Sequence, residues 1–185
     1  MKIPKQAKKV FTGEIFDIYQ WPQKMFDGSY ATFEAIKRPY STRVLATQGQ
    51  KIFVCTEKQP GTKKVVGNFG GRVDKGETPL QAAKRELLEE SGLISNDWEL
   101  FFKYKKKKKK MDFTIFTFIA RDCKKIKDPT KDPGENIKIS TVSFSEFIKI
   151  ALDKKSPMTK YFIAYILQLK LEGKLNEFKQ KLFKK

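Results

Sequence analysis

Three carboxylates, Glu86, Glu89 and Glu90, stand within five consecutive residues. Positions three and four apart share one face of a helix, so all three project together if this stretch is helical. Like charges at that spacing cost about 0.2–0.5 kcal/mol per pair in an isolated helix. The cluster also runs against a chain whose formal net charge is +18. A cation is its natural complement, and an all-oxygen donor set suits Mg2+ or Mn2+. The competing reading is an acidic helix face that water alone solvates.

The chain contains no histidine. That removes histidine-based triads, histidine-ligated metals and a histidine general base. Proton transfer falls to carboxylates, lysine, tyrosine or metal-bound water.

The acids need an element to hold them, and the flanking residues define one. Thr78 suits a helix N-cap, with Gln81 completing a capping box. Pro79 suits the first helical position and Gly92 the position just past the end. Leu80, Ala83 and Leu87 make an apolar stripe beside the acidic face. Before the helix, Gly70, Gly71 and Gly76 allow a tight loop whose carbonyls can approach a ligand.

Gly71, five residues, Glu77, seven residues, Arg85-Glu86-Leu87, one residue, Glu89-Glu90, one residue, Gly92-Leu93: this order and spacing resembles the Nudix box at every fixed position. The resemblance implies a hydrolase that cleaves a nucleoside diphosphate linked to another group. It implies a divalent cation held by Glu86, Glu89, Glu90 and the Gly70 carbonyl, with Glu89 as ligand or base. Gly71, Glu77, Arg85 and Gly92 fall to the structure of the motif. Outside the box, Phe33 to Pro39 and the Val44-Leu45-Ala46 strand resemble the ADP-ribose pyrophosphatase branch, as does Asp132 to Ile137. That branch implies ADP-ribose or a related nucleotide sugar as substrate. It implies Glu135 as a second candidate catalytic residue and Arg38 and Arg72 as candidate substrate-binding residues. Asn68-Phe69-Gly70 departs from the Glu-Leu-Pro usual there.

The bulk properties bound the alternatives. Length 185 and 39% hydrophobic residues fit one globular unit. No apolar run reaches a membrane span and the N-terminus lacks an apolar signal core, so a cytoplasmic location without membrane contact is expected. Cys55 and Cys123 read as reduced core residues. The basic excess leaves room for RNA binding, yet only five of the 39 basic residues are arginine: Arg38, Arg43, Arg72, Arg85 and Arg121. Lys105 to Lys110 reads as an exposed hairpin tip, with RNA or an acidic partner as the functional alternative. Two other functions stay open: an RNA 5′-pyrophosphohydrolase or nucleoside triphosphate pyrophosphatase, and a non-catalytic nucleotide- or RNA-binding module.

The pattern along the chain predicts strands over 11–20, 30–36, 42–47, 51–56, 65–69, 98–104, 111–120 and 137–144. Trp21-Pro22 reads as an interruption and Asp27-Gly28 as a hairpin turn. Helices are expected at 146–152, capped by Ser145, at 158–171, and in the tail toward 185. The expected architecture is an α/β/α sandwich with a mixed sheet, preceded by an N-terminal β-hairpin. Residues 1–37 form the arm and hairpin, and 38–185 the hydrolase unit with C-terminal helices. The hairpin suits exchange between two copies in a homodimer, as the branch implies.

Overall fold

The computed structural model describes residues 3–58, 61–105, 110–130 and 136–184. The central sheet is mixed. In spatial order it runs β12 (Asn136–Val142), β5 (Lys51–Lys58), β4 (Ser41–Gln48), β10 (Thr114–Arg121) and β8 (Asp97–Lys105), with β6 (Val65–Gly67) paired to β5. β4 and β10 are parallel, Ile115 opposite Ser41 through Ala120 opposite Ala46, and the remaining pairs are antiparallel.

Strand alternation sorts this sheet into two faces. Val44, Ala46, Phe118 and Ala120 pack with Ala83 and Leu87 of helix α1 (Pro79–Ser91). Leu45, Ile52, Val54 and Ile119 face the other way. They meet Phe147 of α2 (Phe144–Leu152), Phe162 and Ile166 of α3 (Lys160–Leu171), and Phe178 and Leu182 of α4 (Leu175–Phe183). This is the expected α/β/α sandwich, with β10 buried at its centre.

A second sheet, β1 (Lys8–Thr12), β2 (Asp17–Lys24), β3 (Tyr30–Lys37) and β9 (Met111–Asp112), lies outside the sandwich. The hairpin turn falls at Gly28, with φ +86. Three expectations are corrected here. The run 11–20 is two strands, because Gly13 to Phe16 turns the chain, closed by the Gly13 N–H on the Phe16 carbonyl at 2.9 Å. Pro22 lies inside β2: the register of β1 stops at Gln20, so Pro22 has no neighbour on that side and no donor is missed. The run 111–120 divides at Phe113, its first two residues joining β3 and the rest entering the central sheet. A two-stranded piece, β7 (Leu93–Ile94) with β11 (Lys124–Lys125), was not foreseen.

Helix α1 has the ends the sequence calls for. The Thr78 side chain accepts from Gln81 N–H, the Gln81 side chain accepts from Thr78 N–H, Pro79 occupies the first turn, and Gly92 is left-handed at φ +69. α2 begins earlier than expected, because Ser143 and Glu146 form the capping box and Ser145 does not cap. The wider spacing of Ser143 and Glu146 satisfies two orphan N–H groups instead of one. Among the described residues no helix is long and apolar enough to cross a membrane.

Both cysteines are free and buried, and burial pushes each thiol up to about 12. The thiolate is the reactive form. We expect an aromatic disulfide reagent to leave both unmodified in the native protein at pH 7.5 and to label both in denaturant. Rapid native labelling at either position would contradict the packing.

Candidate active site

The lead-in to the acidic helix is wedged into the sheet. β4 and β5 pair only through Thr47 with Ile52 and Gln48 with Lys51, then diverge as β5 turns to β6. Phe69 to Arg72 fills the opened edge of β4. Val44 N–H donates to the Phe69 carbonyl at 2.9 Å, and Thr42 N–H to the Gly71 carbonyl at 2.9 Å. Gly70 sits between these bonds at φ +127, and a Cβ there would strike the Thr42 carbonyl and come within 2.9 Å of Arg43 Cα. A side chain at Gly71 would fall on the Glu86 carboxylate. Both glycines are required by close approach.

The acids arrive from α1, whose Ala83 and Leu87 are anchored in the core. Glu90 Oε2 accepts from Gly70 N–H at 2.9 Å, while Glu86 covers Gly71. Two carboxylates therefore meet two adjacent backbone residues. Burial pushes the Glu86 carboxyl above the ordinary carboxylate range, against the pull of Arg85. Arg85 braces the group. It grips Glu77 through Nε at 2.8 Å and Nη2 at 3.0 Å. Its Nη1 reaches Glu86 at 2.9 Å and Glu89 at 3.0 Å. Nη2 also donates to the Arg72 carbonyl at 3.0 Å and pairs with Asp74 at 3.4 Å. The Arg85 hydrogen bonds hold the Glu77 carboxyl below its usual range.

At the far end of α1, Ile126 N–H donates to the Gly92 carbonyl and Thr130 N–H to the Glu89 carbonyl, at 2.9 and 2.8 Å. That segment satisfies carbonyls a helix end leaves bare. It leads toward Glu135, which lies outside the described residues, as do Lys106 to Lys109 of the lysine run.

Three of the five arginines lie near one another beside this segment. Burial, then the charges of Arg43 and Arg72, lower the pKa of Arg38, so the three guanidinium groups share one neighbourhood. Arg38 lies over the Phe113 ring at 4.2 Å and the Phe16 ring at 5.8 Å, and its buried Nε has no hydrogen-bond partner. It lines an open cleft of about 480 Å³ with Tyr40, Val73 and Asp74. Arg72 pairs with Asp74 at 3.3 Å at the surface. Arg43 donates through Nη1 to the carbonyls of Thr42 and Gly70, at 2.8 and 3.0 Å. It lines a narrow cavity of about 70 Å³ with Asn68, Thr117 and Phe162.

Arg43 was not among the sequence candidates. Its one signal in the sequence is the scarcity of arginine, and its meeting with Gly70 has none. Of the box residues, Glu77, Glu86 and Glu89 meet on Arg85 and Glu90 meets Gly70, while Arg38 and Arg72 lie near Asp74.

Among the described residues no three acidic or cysteine side chains are gathered tightly enough to hold a metal ion as they stand. Glu86 and Glu89 are drawn onto Arg85, and Glu90 onto the Gly70 N–H. The donor types nevertheless suit a hard divalent cation, since the Glu86 and Glu90 carboxylates reach the Gly70–Gly71 backbone where no side chain intervenes.

Sheet, acidic helix and glycine wedge together define the Nudix class of pyrophosphohydrolases. A profile described as NUDIX domain matches residues 37–165, well over half of the chain, and the chain belongs to that family. It is similar to an ADP-ribose pyrophosphatase of Bacillus subtilis, 26% identical over 168 residues, covering 88% of this chain and 90% of that protein. A shorter likeness, 46% identical over 52 residues, joins it to an oxidized purine nucleoside triphosphate hydrolase of Mus musculus, covering 28% of this chain and 33% of that one. A solved structure described as an ADP compounds hydrolase shares the fold, with a TM-score of 0.71, 19% identity, and coverage of 92% of this chain and 95% of that one.

Proposed function

We propose that this protein is a Mg2+- or Mn2+-dependent hydrolase that cleaves the pyrophosphate of ADP-ribose or a related nucleoside diphosphate sugar. The observation that carries the reading is the meeting of Glu86 and Glu90 on Gly70–Gly71 beside the Arg38, Arg43 and Arg72 rim. The likeness to the Bacillus subtilis enzyme along nearly the full length supports the substrate class.

In this reading Glu86, Glu89, Glu90 and the Gly70 carbonyl hold the cation. Bound there, it neutralises phosphate charge and lowers the pKa of its water. Arg85 keeps Glu86 and Glu89 oriented, and the Gly70 N–H holds Glu90. Arg38, which lines the open cleft beside Val73 and Asp74, and Arg72 bind the substrate's phosphates. In this reading Glu89, whose side chain is 46% exposed, also takes a proton from the attacking water, with Glu135 the alternative base. Arg121, the remaining arginine, lies in a different part of the fold.

A second reading has its own support. The net charge of +18 and the local likeness to a nucleoside triphosphate hydrolase favour RNA 5′ ends or nucleoside triphosphates as substrates. One assay separates the two. Protein and Mg2+ are incubated with ADP-ribose, NADH, diadenosine polyphosphates, nucleoside triphosphates and 5′-triphosphate RNA. We expect AMP and ribose 5-phosphate from ADP-ribose. Turnover confined to RNA or triphosphates would replace the proposed substrate, and no turnover at all would favour a binding module.

A further inference from the structure

We propose that Arg43 is a positioning residue, which fixes the Gly70–Gly71 peptide so that its carbonyl and the neighbouring carboxylates form one cation site. The proposal rests on the reading of Gly70, Glu86 and Glu90 as that site.

The argument starts from the two peptide planes that Gly70 joins. The plane before it is pinned at both ends, its carbonyl by Val44 N–H and its N–H by Glu90. The plane after it carries the Gly70 carbonyl, and the hydrogen bond that holds this carbonyl comes from Arg43 at 3.0 Å. Both residues flanking that plane are glycines. With no Cβ, neither resists a rotation that turns the carbonyl over. Thr42 N–H on the Gly71 carbonyl holds only the next plane along. Arg43 is therefore the lock on a peptide that local sterics leave free.

The geometry of the lock is specific. A single nitrogen, Nη1, bridges the carbonyls of Thr42 on β4 and Gly70 on the wedge. Arg43 shares strand parity with Leu45, whose side chain packs against α2 to α4, whereas Val44 faces α1. Arg43 thus holds the wedge at the Gly70 carbonyl, and Glu90 holds it at the Gly70 N–H. A small misplacement at such a point is costly in catalysis, because ligand positions must be set before the reaction.

The sign of the effect makes the test decisive. Deleting a nearby cation, taken alone, strengthens binding of a divalent ion by removing repulsion. Loss of positioning weakens it. The wild type is compared with Arg43→Met, Arg43→Gln and Arg43→Lys. Mn2+ affinity is measured by electron paramagnetic resonance without substrate, and amide exchange at Gly70 and Gly71 by NMR. Steady-state kinetics are run with the substrate found in the panel above. For Arg43→Met we expect Mn2+ binding weaker on the order of tenfold, the worth of one hydrogen bond from a charged donor. We expect faster exchange at Gly70 and Gly71, and a fall in kcat with KM within about twofold, the pattern of lost transition-state interaction. Lysine, which keeps a charged donor, recovers most of the loss. Glutamine, with a neutral donor, lies between and carries the test if the methionine variant does not fold.

Mn2+ affinity equal to or tighter than wild type in these variants would overturn the proposal. So would an effect confined to KM with Gly70 exchange unchanged, which marks a substrate contact instead. A wild-type protein that binds Mn2+ but cleaves nothing in the panel overturns the proposed function and leaves the Arg43 test standing. A wild-type protein that binds no Mn2+ overturns both.

Discussion

On the proposed reading, replacing Glu90 with glutamine is expected to lower kcat on the order of 10³-fold and leave the fold intact. Glutamine keeps the length and an acceptor oxygen, so the bond from Gly70 N–H at 2.9 Å survives. What disappears is a negative charge on the face that also carries Glu86 and Glu89. A charged ligand lost from a cation site that stabilises phosphate oxygens costs several kcal/mol of barrier, so kcat falls on the order of 10³-fold. Stability moves the other way, if at all. Glu86 and Glu90 are one helical turn apart, and removing one charge relieves about 0.2–0.5 kcal/mol of repulsion. The expected result is an unchanged or slightly raised Tm with unchanged circular dichroism. A variant with wild-type kcat would remove Glu90 from the site. A variant that fails to fold would mean the Glu90 carboxylate is structural.

The second large effect is on stability. The side chain of Arg121 is 5% exposed, at the end of β10, and joins three elements. Nε and Nη2 both donate to the Lys181 carbonyl in α4, at 3.0 and 2.7 Å. Nη1 pairs with Asp97 at 3.1 Å and Nη2 with Glu99 at 2.5 Å, both on β8. Thr47 Oγ1 adds a bond to the Leu182 carbonyl at 3.2 Å. This docks α4, which supplies Phe178 and Leu182 to the core. Breaking a fully buried pair costs about 3–5 kcal/mol. Asp97 and Glu99 retain access to water, so Arg121→Met is expected to cost about 2–3 kcal/mol, a Tm drop of roughly 5–10 °C at this chain length. The effect has a pH signature. The Arg121 hydrogen bond holds the Glu99 carboxyl below its usual range. A lowered folded pKa gives stability that is present above the unfolded value, about 4.3, and is lost as pH falls through the folded one. The gap between wild type and Arg121→Met therefore narrows below about pH 4. A gap that stays constant from pH 7 to pH 3 would remove Glu99 from the account, and an unchanged Tm at pH 7 would remove the latch.

The helix that carries the acids was legible almost to the residue, because Thr78, Gln81, Pro79 and Gly92 act through local bonds that the sequence displays. The same holds for the brace, since Glu77 and Arg85 are eight residues apart with a helix start between them. What stayed hidden depends on partners distant in sequence. Pro22 looked like a strand breaker, and it is tolerated because β1 ends at Gln20. Phe113 gives no sign that the chain leaves one sheet for another there; the pairing of Met111 with Ile36 decides it. Arg43 is the telling case. Its role comes from the divergence of β4 and β5, which brings Gly70 beside it across 27 positions of sequence. No pattern within the strand encodes that meeting.

The Arg85 brace has a thermodynamic consequence for the chain before any proposed cation binds. Four carboxylates crowd one guanidinium, which serves as a resident counter-ion. Self-repulsion within the acidic face is already offset inside the chain. Folding need not wait for metal, unlike small domains in which ion binding and folding are one event. A divalent ion adds only its mass-action increment, RT ln(1 + [L]/Kd), to an already folded state. On the proposed reading, a change in free divalent cation shifts stability by that increment alone and requires no passage through an unfolded chain.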